Sequence, residues 1–160
     1  PVAGLIGSYS ADMARRTWFS PSVLLIVIAG GAVGVALRAA VVVPLGGLSH
    51  PLVVPAATLA INLVGAFLLG IIVGRLADHA PRLRAFLGTG VMGGFTTYSA
   101  FAVQSVTVSS ASPLIGLVLI AVSLLGGVVA AVIGLGVGRG MAGRPAEVAA
   151  SEVEAPEDAE

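Results

Sequence analysis

The stretch GTGVMGGFTTYSAF, residues 88–101, decides the fold, because it places helix-breaking and polar residues in an apolar setting. It contains four glycines and ends in a run of hydroxyl-bearing side chains. Each glycine costs a helix roughly 1 kcal/mol relative to alanine. Within a bilayer, irregular backbone is tolerated only where protein buries it or where it lines a polar cavity. The stretch therefore predicts a helix broken in mid-membrane, with backbone carbonyls and hydroxyl groups available to an ion.

The composition around this stretch is that of an integral membrane protein. Of the 160 residues, 57% are hydrophobic and only 10% are charged, and the mean hydropathy is +1.05. Soluble domains carry about 25% charged residues. The absence of cysteine excludes disulfides and thiolate metal ligands. No basic segment is interleaved with aromatic residues, so we expect no nucleic-acid partner and a lipid bilayer as the surroundings.

Four apolar segments approach the roughly 20 residues that a membrane-spanning helix needs. They cover residues 22–43, 55–74, 85–109 and 114–138. The short connections predict neighbouring antiparallel helices. We expect an all-α, four-helix transmembrane domain over 21–139, whose third helix is the broken one. Residues 1–20 are expected to form a disordered extension, and residues 140–160, rich in Gly, Pro and Glu, a disordered acidic tail.

Small residues recur four positions apart, a spacing that lets helix backbones approach closely in membranes. The pairs are Gly30/Gly34, Gly70/Gly74, Gly90/Gly94 and Gly134/Gly138. Four such thin helices enclose little volume, so we expect a dimer or a larger oligomer. The sequence shows no internal repeat, and any inverted symmetry must therefore come from a second subunit.

The polar residues within the predicted spans favour a passive pathway. The spans contain no Asp, Glu, Lys or His, whereas ion-coupled carriers usually place acids in mid-membrane. Without a base or a nucleophile–base pair, an enzyme is disfavoured. Asn62 and Ser123 lie within spans two and four, and a helix–helix hydrogen bond of ~0.6 kcal/mol or simple packing accounts for each as well as a site does. Hydroxyl groups and aromatic ring edges suit an anion, whereas unwound carbonyls suit a cation.

Three segments in order resemble the bacterial fluoride channels of the Fluc family. They are GGAVGVALR (30–38), TLAINLVG (58–65) and GGFTTYSAF (93–101), and the resemblance extends over about residues 30–138. It implies a four-helix subunit that dimerises antiparallel and forms two narrow fluoride pores. It also implies a structural sodium ion at the dimer centre, and a role in exporting toxic fluoride across the cell membrane.

The resemblance implies roles for individual residues at the matching positions. The sodium ion would be held by backbone carbonyls of Gly93 and Thr96 from both subunits. The fluoride path would be formed by Asn62, Tyr98, Phe101, Ser99, Thr97, Ser123 and Arg38.

The chain departs from the family pattern at several positions of the pore. Tyr98 replaces the usual phenylalanine, Ala100 a threonine and Gln104 a common glutamate. The fourth-span pattern Tyr-x-x-x-Ser-x-x-x-Ser corresponds here to Leu119, Ser123 and Gly127. The residues of the sodium site are kept while part of the pore lining is lost. We therefore expect one of the two pores to be impaired.

Two other functions remain open at this point. A small multidrug-type transporter can also be an antiparallel dimer of four-helix subunits, but that class relies on a first-span glutamate, which is absent here. A non-conducting assembly subunit of a heterodimeric channel would agree with the altered pore residues.

The distribution of arginine predicts the orientation in the membrane, because positively charged loops remain cytoplasmic. One side would carry Arg15, Arg16, Arg75, Arg82, Arg84, Arg139 and Arg144, and the other at most Arg38. We expect both termini to be cytoplasmic in a fixed orientation. An antiparallel partner is then more readily a homologous subunit of opposite orientation than a second copy of this chain.

Overall fold

The structure, a computed structural model, describes residues 20–76 and 79–142. Within these two ranges the chain is helical and forms no β-strand, so the all-α prediction is confirmed for them. The predicted extension and tail lie outside the described residues, with a small exception at the C-terminal end. There the last helix continues to Met141, so the first two residues of the range predicted as a disordered tail are helical.

Five helical elements follow one another within the described residues. Helix α1 is Pro21–Leu45, and α2 is Val53–Leu76. Helix α3 consists of three consecutive segments: Pro81–Arg84, the π-helical Ala85–Met92, and Gly93–Phe95. Helix α4 is Tyr98–Ala111 and α5 is Pro113–Met141. Three of the elements begin with proline, which lacks the N–H that a first helical residue leaves unpaired.

Three of these helices are long and apolar enough to cross a membrane. They are α1, α2 and α5, with mean hydropathies of 2.3, 2.3 and 2.7. Helix α4 has only 14 residues, and it is separated from α3 by two residues in an extended conformation. The chain is thus a multi-pass membrane protein, and the predicted segments 22–43, 55–74 and 114–138 correspond to these three helices. The predicted segment 85–109 is divided between α3 and α4, and the count of four spans stays a prediction.

The main packing joins helices that are not neighbours in sequence. Helix α1 packs chiefly on α3, and α2 chiefly on α5. At both crossings the contacting residue numbers rise together on the two helices, so each pair runs parallel. The sequence argument placed consecutive antiparallel helices side by side. It missed these crossings because short loops fix direction but do not fix which helices touch.

The predicted glycine pairs meet each other at the first of these crossings. Gly30 and Gly34 of α1 lie against Gly90 and Gly94 of α3. A Cβ atom added to Gly30 would lie 3.0 Å from the Cα of Gly90, and one added to Gly34 would lie 2.7 Å from the backbone N of Phe95. The backbones are in direct contact, and no side chain larger than hydrogen fits between them.

The second crossing has the same construction. Gly70 and Gly74 of α2 lie against Gly134 and Gly138 of α5. A Cβ atom on Gly74 would lie 2.9 Å from the backbone N of Arg139, and one on Gly134 would meet the carbonyl oxygen of Phe67. All four sequence pairs therefore serve two matched crossings of the small-residue type found in membranes.

Little apolar surface is buried within the subunit. The buried apolar side chains in the described part of the chain are Ile61, Val91, Met92 and Val108, whereas large apolar residues along α1 and α5 are exposed. Because a membrane offers lipid or another subunit as the contact for such surfaces, close backbone packing replaces an apolar core here.

We predict that Gly134→Ala destabilises the protein while Gly136→Ala does not. The added methyl group at 134 meets the Phe67 carbonyl, whereas nothing lies within 4 Å of a Cβ atom at 136. Overpacking of this kind costs about 1–3 kcal/mol. Thermal unfolding in detergent should show a lower midpoint for Gly134→Ala, and for Gly136→Ala a midpoint equal to or above that of the parent. Equal midpoints for the two variants would contradict the crossing.

Candidate functional site

The helical path is interrupted at Thr96 and Thr97. Thr96 has φ −77° and ψ 160°, and Thr97 has φ −148° and ψ 118°, both in the extended region. A helix break was predicted within residues 88–101, and the structure has extended backbone there only at these two residues. The glycine-rich part is helical, with π-type bonding over Ala85–Met92, because Gly90 and Gly94 pack against α1 and this contact offsets their low helix propensity.

The side chain of Asn62 from α2 substitutes for the missing helical partners of Thr97. Its Oδ1 accepts from the Thr97 N–H at 2.9 Å, and its Nδ2 donates to the Thr97 carbonyl at 3.1 Å. In a continuous helix this N–H would donate to the carbonyl of Gly93. The two hydrogen bonds therefore hold the break open and satisfy backbone groups that would otherwise be unpaired in an apolar setting.

Thr97 also caps the helix that follows. Its Oγ1 accepts from the N–H of Ala100 at 3.2 Å, the arrangement of an N-cap threonine. In a continuous helix that N–H would donate to the carbonyl of Thr96. The carbonyls that lose their helical donors to Asn62 and Thr97 are thus those of Gly93 and Thr96, the two that the resemblance assigns to sodium.

The Thr96 carbonyl nevertheless has a partner. Nη1 of Arg38, on α1, donates to it at 3.3 Å. The Thr96 side chain turns back along α3, where its Oγ1 donates to the Met92 carbonyl at 2.9 Å. Gly65 of α2 leaves room for it, since a Cβ atom there would collide with Cγ2 of Thr96. The break is therefore contacted by a guanidinium from one helix and a carboxamide from another.

A cavity of about 320 Å³ lies beside the break. Its apolar wall includes Ala66, Leu69 and Leu124. Its remaining lining contains most of the residues predicted for the site, namely Asn62, Thr96, Thr97, Tyr98, Phe101 and Ser123. The structure thus brings together side chains that are up to 61 positions apart in the sequence.

Two features suggest what this cavity receives. The rings of Tyr98 and Phe101 are tilted by 50° with centroids 6.0 Å apart, and Tyr98 is 79% exposed on the single subunit. The Oγ of Ser123 is buried and has no hydrogen-bond partner within the described residues. Buried hydroxyl groups are normally paired, so this one has a free donor beside the cavity.

Three predicted site residues do not line the cavity. Ser99 is exposed, and its Oγ lies 3.3 Å from Oγ1 of Thr97. Gly93 is exposed, with nothing within 4 Å of a Cβ position. Arg38 reaches the break only through the Thr96 carbonyl.

The sequence argument missed one interhelical contact near the site. Nε2 of Gln104 donates to Oγ1 of Thr58 at 3.0 Å, and Thr58 is only 3% exposed. Thr58 lies one helical turn before Asn62. Asn62 binds Thr97 at the break, and Thr58 binds Gln104 in the helix that follows it. The spacing of four between them was the signal available in the sequence.

The charges near the site favour anions. Residues 20–76 and 79–142 contain no Asp or Glu, and no group of His, Cys, Asp or Glu within them could hold a metal ion. Hydroxyl, amide and guanidinium donors surround the break, so the side chains offer hydrogen bonds suited to an anion.

Comparison with known proteins places the chain in a family. The family described as "CrcB-like protein, Camphor Resistance (CrcB)" matches residues 25–135, and the chain belongs to it. Fluoride-specific ion channel FluC 2 of Bacillus subtilis (strain 168) is 42% identical over 122 residues, which cover 73% of this chain and 88% of that protein. Fluoride-specific ion channel FluC of Cereibacter sphaeroides (strain ATCC 17029 / ATH 2.4.9) is 39% identical over 129 residues, 81% of this chain and 94% of that protein.

These matches confirm the family resemblance drawn from the three motifs. The named relatives are ion channels, not enzymes, which agrees with the sequence-based expectation for this chain. The roles of individual residues stay predictions.

We predict that Asn62→Ala lowers stability more than Ser123→Ala, although both side chains line one cavity. Asn62→Ala leaves the N–H and the carbonyl of Thr97 without partners, and each unsatisfied group costs about 1–3 kcal/mol. Ser123→Ala removes a hydroxyl that has no partner in the described part of the chain. Unfolding midpoints should fall for Asn62→Ala and stay near the parent value for Ser123→Ala, and the reverse order would contradict the role given to Asn62.

Proposed function

We propose that this chain is a subunit of a passive, fluoride-selective channel that exports fluoride and protects the cell from its toxicity. The observation that carries the proposal is the cavity at the helix break, where Asn62, Tyr98, Phe101 and Ser123 converge in a chain whose relatives are named fluoride-specific channels. Fluoride is small and strongly hydrated, so a path through the membrane must replace its water with donors. The unpartnered hydroxyl of Ser123 and the exposed ring of Tyr98 are suited to that purpose.

The same proposal includes a four-span subunit and an antiparallel dimer. Helices α3 and α4 together would form the third span, broken at Thr96–Thr97 in mid-membrane. The parallel pairs α1–α3 and α2–α5 support this, because spans one and three must run in one direction and spans two and four in the other. The exposure of Tyr98 beside the cavity supports a partner subunit that covers it and completes the path.

A structural sodium ion at the dimer centre is part of the proposal, and the chain fits it in part. The carbonyls of Gly93 and Thr96 have lost their helical donors, and a carbonyl oxygen has two lone pairs. The guanidinium of Arg38 on the Thr96 carbonyl opposes a cation there, because like charges at such distances repel. The ion would join the broken spans of two subunits and would not be transported.

We predict that sodium raises the unfolding midpoint relative to N-methylglucamine, and that Asn62 is needed for this effect. Asn62→Ala removes the two hydrogen bonds that hold Thr97 in its extended conformation, so the carbonyls should lose their arrangement and the sodium response should disappear. Thr96→Ala alters only the side chain, so it should keep the response even if its baseline midpoint falls. A parent protein that is indifferent to sodium would overturn the ion site.

Fluoride efflux from liposomes tests the channel itself. The chain should be reconstituted alone and together with a homologous subunit of opposite arginine distribution. We expect efflux from the pair, with Asn62→Asp lowering it about tenfold or more, because a carboxylate repels an anion and cannot donate to the Thr97 carbonyl. Gly136→Ala, at an open position, is the matched control and should conduct like the parent pair.

The outcomes of that assay separate the alternative functions. Efflux from the pair that is insensitive to Asn62→Asp and Ser123→Ala would identify this chain as a non-conducting assembly subunit. No fluoride efflux in either form, with transport of organic cations instead, would favour the small multidrug-type transporter. Robust efflux from the chain alone would support the channel and overturn the need for a different partner.

We further propose a location in the cell membrane with both termini cytoplasmic. In the described part of the chain, Arg75, Arg82, Arg84 and Arg139 all lie where α2 and α5 end and α3 begins, and positively charged loops are retained in the cytoplasm. A fixed orientation means that the antiparallel partner is a homologous subunit of opposite orientation. Reporters fused to the C-terminus should give a cytoplasmic signal only, and equal signals from both sides would show a dual-topology homodimer.

A further inference from the structure

The arginines at one end of the subunit are held close together by the packing of two helices. Helices α2 and α5 run parallel, and their glycine crossing ends at Gly74 and Gly138. A Cβ atom on Gly74 would lie 2.9 Å from the backbone N of Arg139, and one on Gly138 would lie 3.0 Å from the backbone N of Arg75. The crossing therefore places the backbones of these two arginines side by side, at the ends of the two helices with the most extensive contact.

Within residues 20–76 and 79–142, no acidic side chain offsets the charge of this pair. Both residues are exposed. Arg75 donates from Nη1 to the carbonyl of Met141, which satisfies one free carbonyl at the end of α5 and leaves its other donors available. The side chain of Arg139 makes no hydrogen bond to the residues that the structure describes, and those residues include no carboxylate. The negative ends of the two helix dipoles offset part of the charge, but they offer no group of matching geometry.

We propose that Arg75 and Arg139 together bind the phosphate group of an anionic phospholipid. Both side chains lie at the ends of apolar helices with mean hydropathies of 2.3 and 2.7, the level at which lipid headgroups are found. Guanidinium groups bind phosphate oxygens in a bidentate manner, and basic groups between membrane helices on the cytoplasmic side are suited to anionic headgroups. Arg82 and Arg84 add positive charge at the same end.

This site is independent of the channel proposal, because it lies at the end of the α2–α5 crossing and not at the helix break. It assigns a second purpose to the glycine crossing. By bringing two cations together, the crossing forms a site that a bilayer lipid can occupy, and the lipid in turn holds the ends of α2 and α5 together.

Native mass spectrometry of the full chain in mixed micelles tests the proposal. The probes are dioleoylphosphatidylglycerol and dioleoylphosphatidylcholine, and the readout is the ratio of the two lipids bound. The parent should prefer phosphatidylglycerol. Arg75→Gln and Arg139→Gln should each lower the preference about tenfold or more, because one phosphate needs both donors. Arg82→Gln, which removes the same charge from the same end, is the matched control and should lower it no more than about fivefold.

Three results would overturn the proposal. The first is the absence of any preference in the parent, which would mean that another group neutralises the arginines. The second is an equal loss for Arg82→Gln and Arg75→Gln, which would indicate only diffuse attraction to the surface. The third is displacement of phosphatidylglycerol by millimolar inorganic phosphate, which would indicate a site for the free anion. If Arg75→Gln unfolds because it loses the hydrogen bond to the Met141 carbonyl, the test compares Arg139→Gln with Arg82→Gln.

Discussion

The structure depends on the rule that a chain in an apolar medium must provide partners for its own backbone groups. The break at Thr96–Thr97 is possible because one side chain supplies them. Asn62 offers a carboxamide, which has the same donor and acceptor as a peptide group, and binds both the N–H and the carbonyl of Thr97. Without it, the N–H and the carbonyl of Thr97 would have no partner in an apolar medium. A single carboxamide thus supports the break and leaves the Gly93 carbonyl without its helical donor.

The helix crossings decide where that break is placed. The two glycine crossings bring backbones together so closely that side chains are excluded from the contact. Arg38 of α1 reaches the break because α1 lies against α3, and Asn62 reaches it from the other side, from α2. Since few side chains are buried in the described part of the chain, the positions of the polar groups follow from backbone contacts. The site is therefore only as rigid as the crossings that hold the three helices.

The polar and charged groups at the break favour ions of opposite sign. Freed carbonyls attract a cation, whereas the guanidinium of Arg38 on the Thr96 carbonyl repels it and attracts an anion. In a membrane both effects are strong, because little water screens them. Tyr98, Leu119 and Gly127 depart from the family pattern described above, whereas Gly93 and Thr96 keep it. The effects of these differences on conduction and assembly stay predictions.

The sequence by itself determined the class of protein, because composition and hydropathy act over whole segments. The apolar segments, the four glycine pairs and the polar run after Gly94 were all evident without coordinates, and the three motifs were enough to indicate the family. Most of the polar residues that line the cavity at the break could also be named in advance, since a polar residue in an apolar span is rare enough to be noticed. The length of the unwound segment could not be predicted, because low helix propensity at Gly90 and Gly94 was offset by packing against α1.

Only the tertiary structure decided which helices touch and what Asn62 does. Short loops suggested side-by-side antiparallel neighbours, but the close contacts are parallel crossings between alternate helices, because matched glycine surfaces bring backbones closer than a short loop does. In the sequence Asn62 was a packing residue or an ion ligand, and in the structure it is first the partner of the Thr97 backbone. The hydrogen bond from Arg38 to the Thr96 carbonyl was likewise hidden, because the two residues are 58 positions apart. Hydrogen bonds of this kind depend on distances between helices, which a linear pattern does not contain.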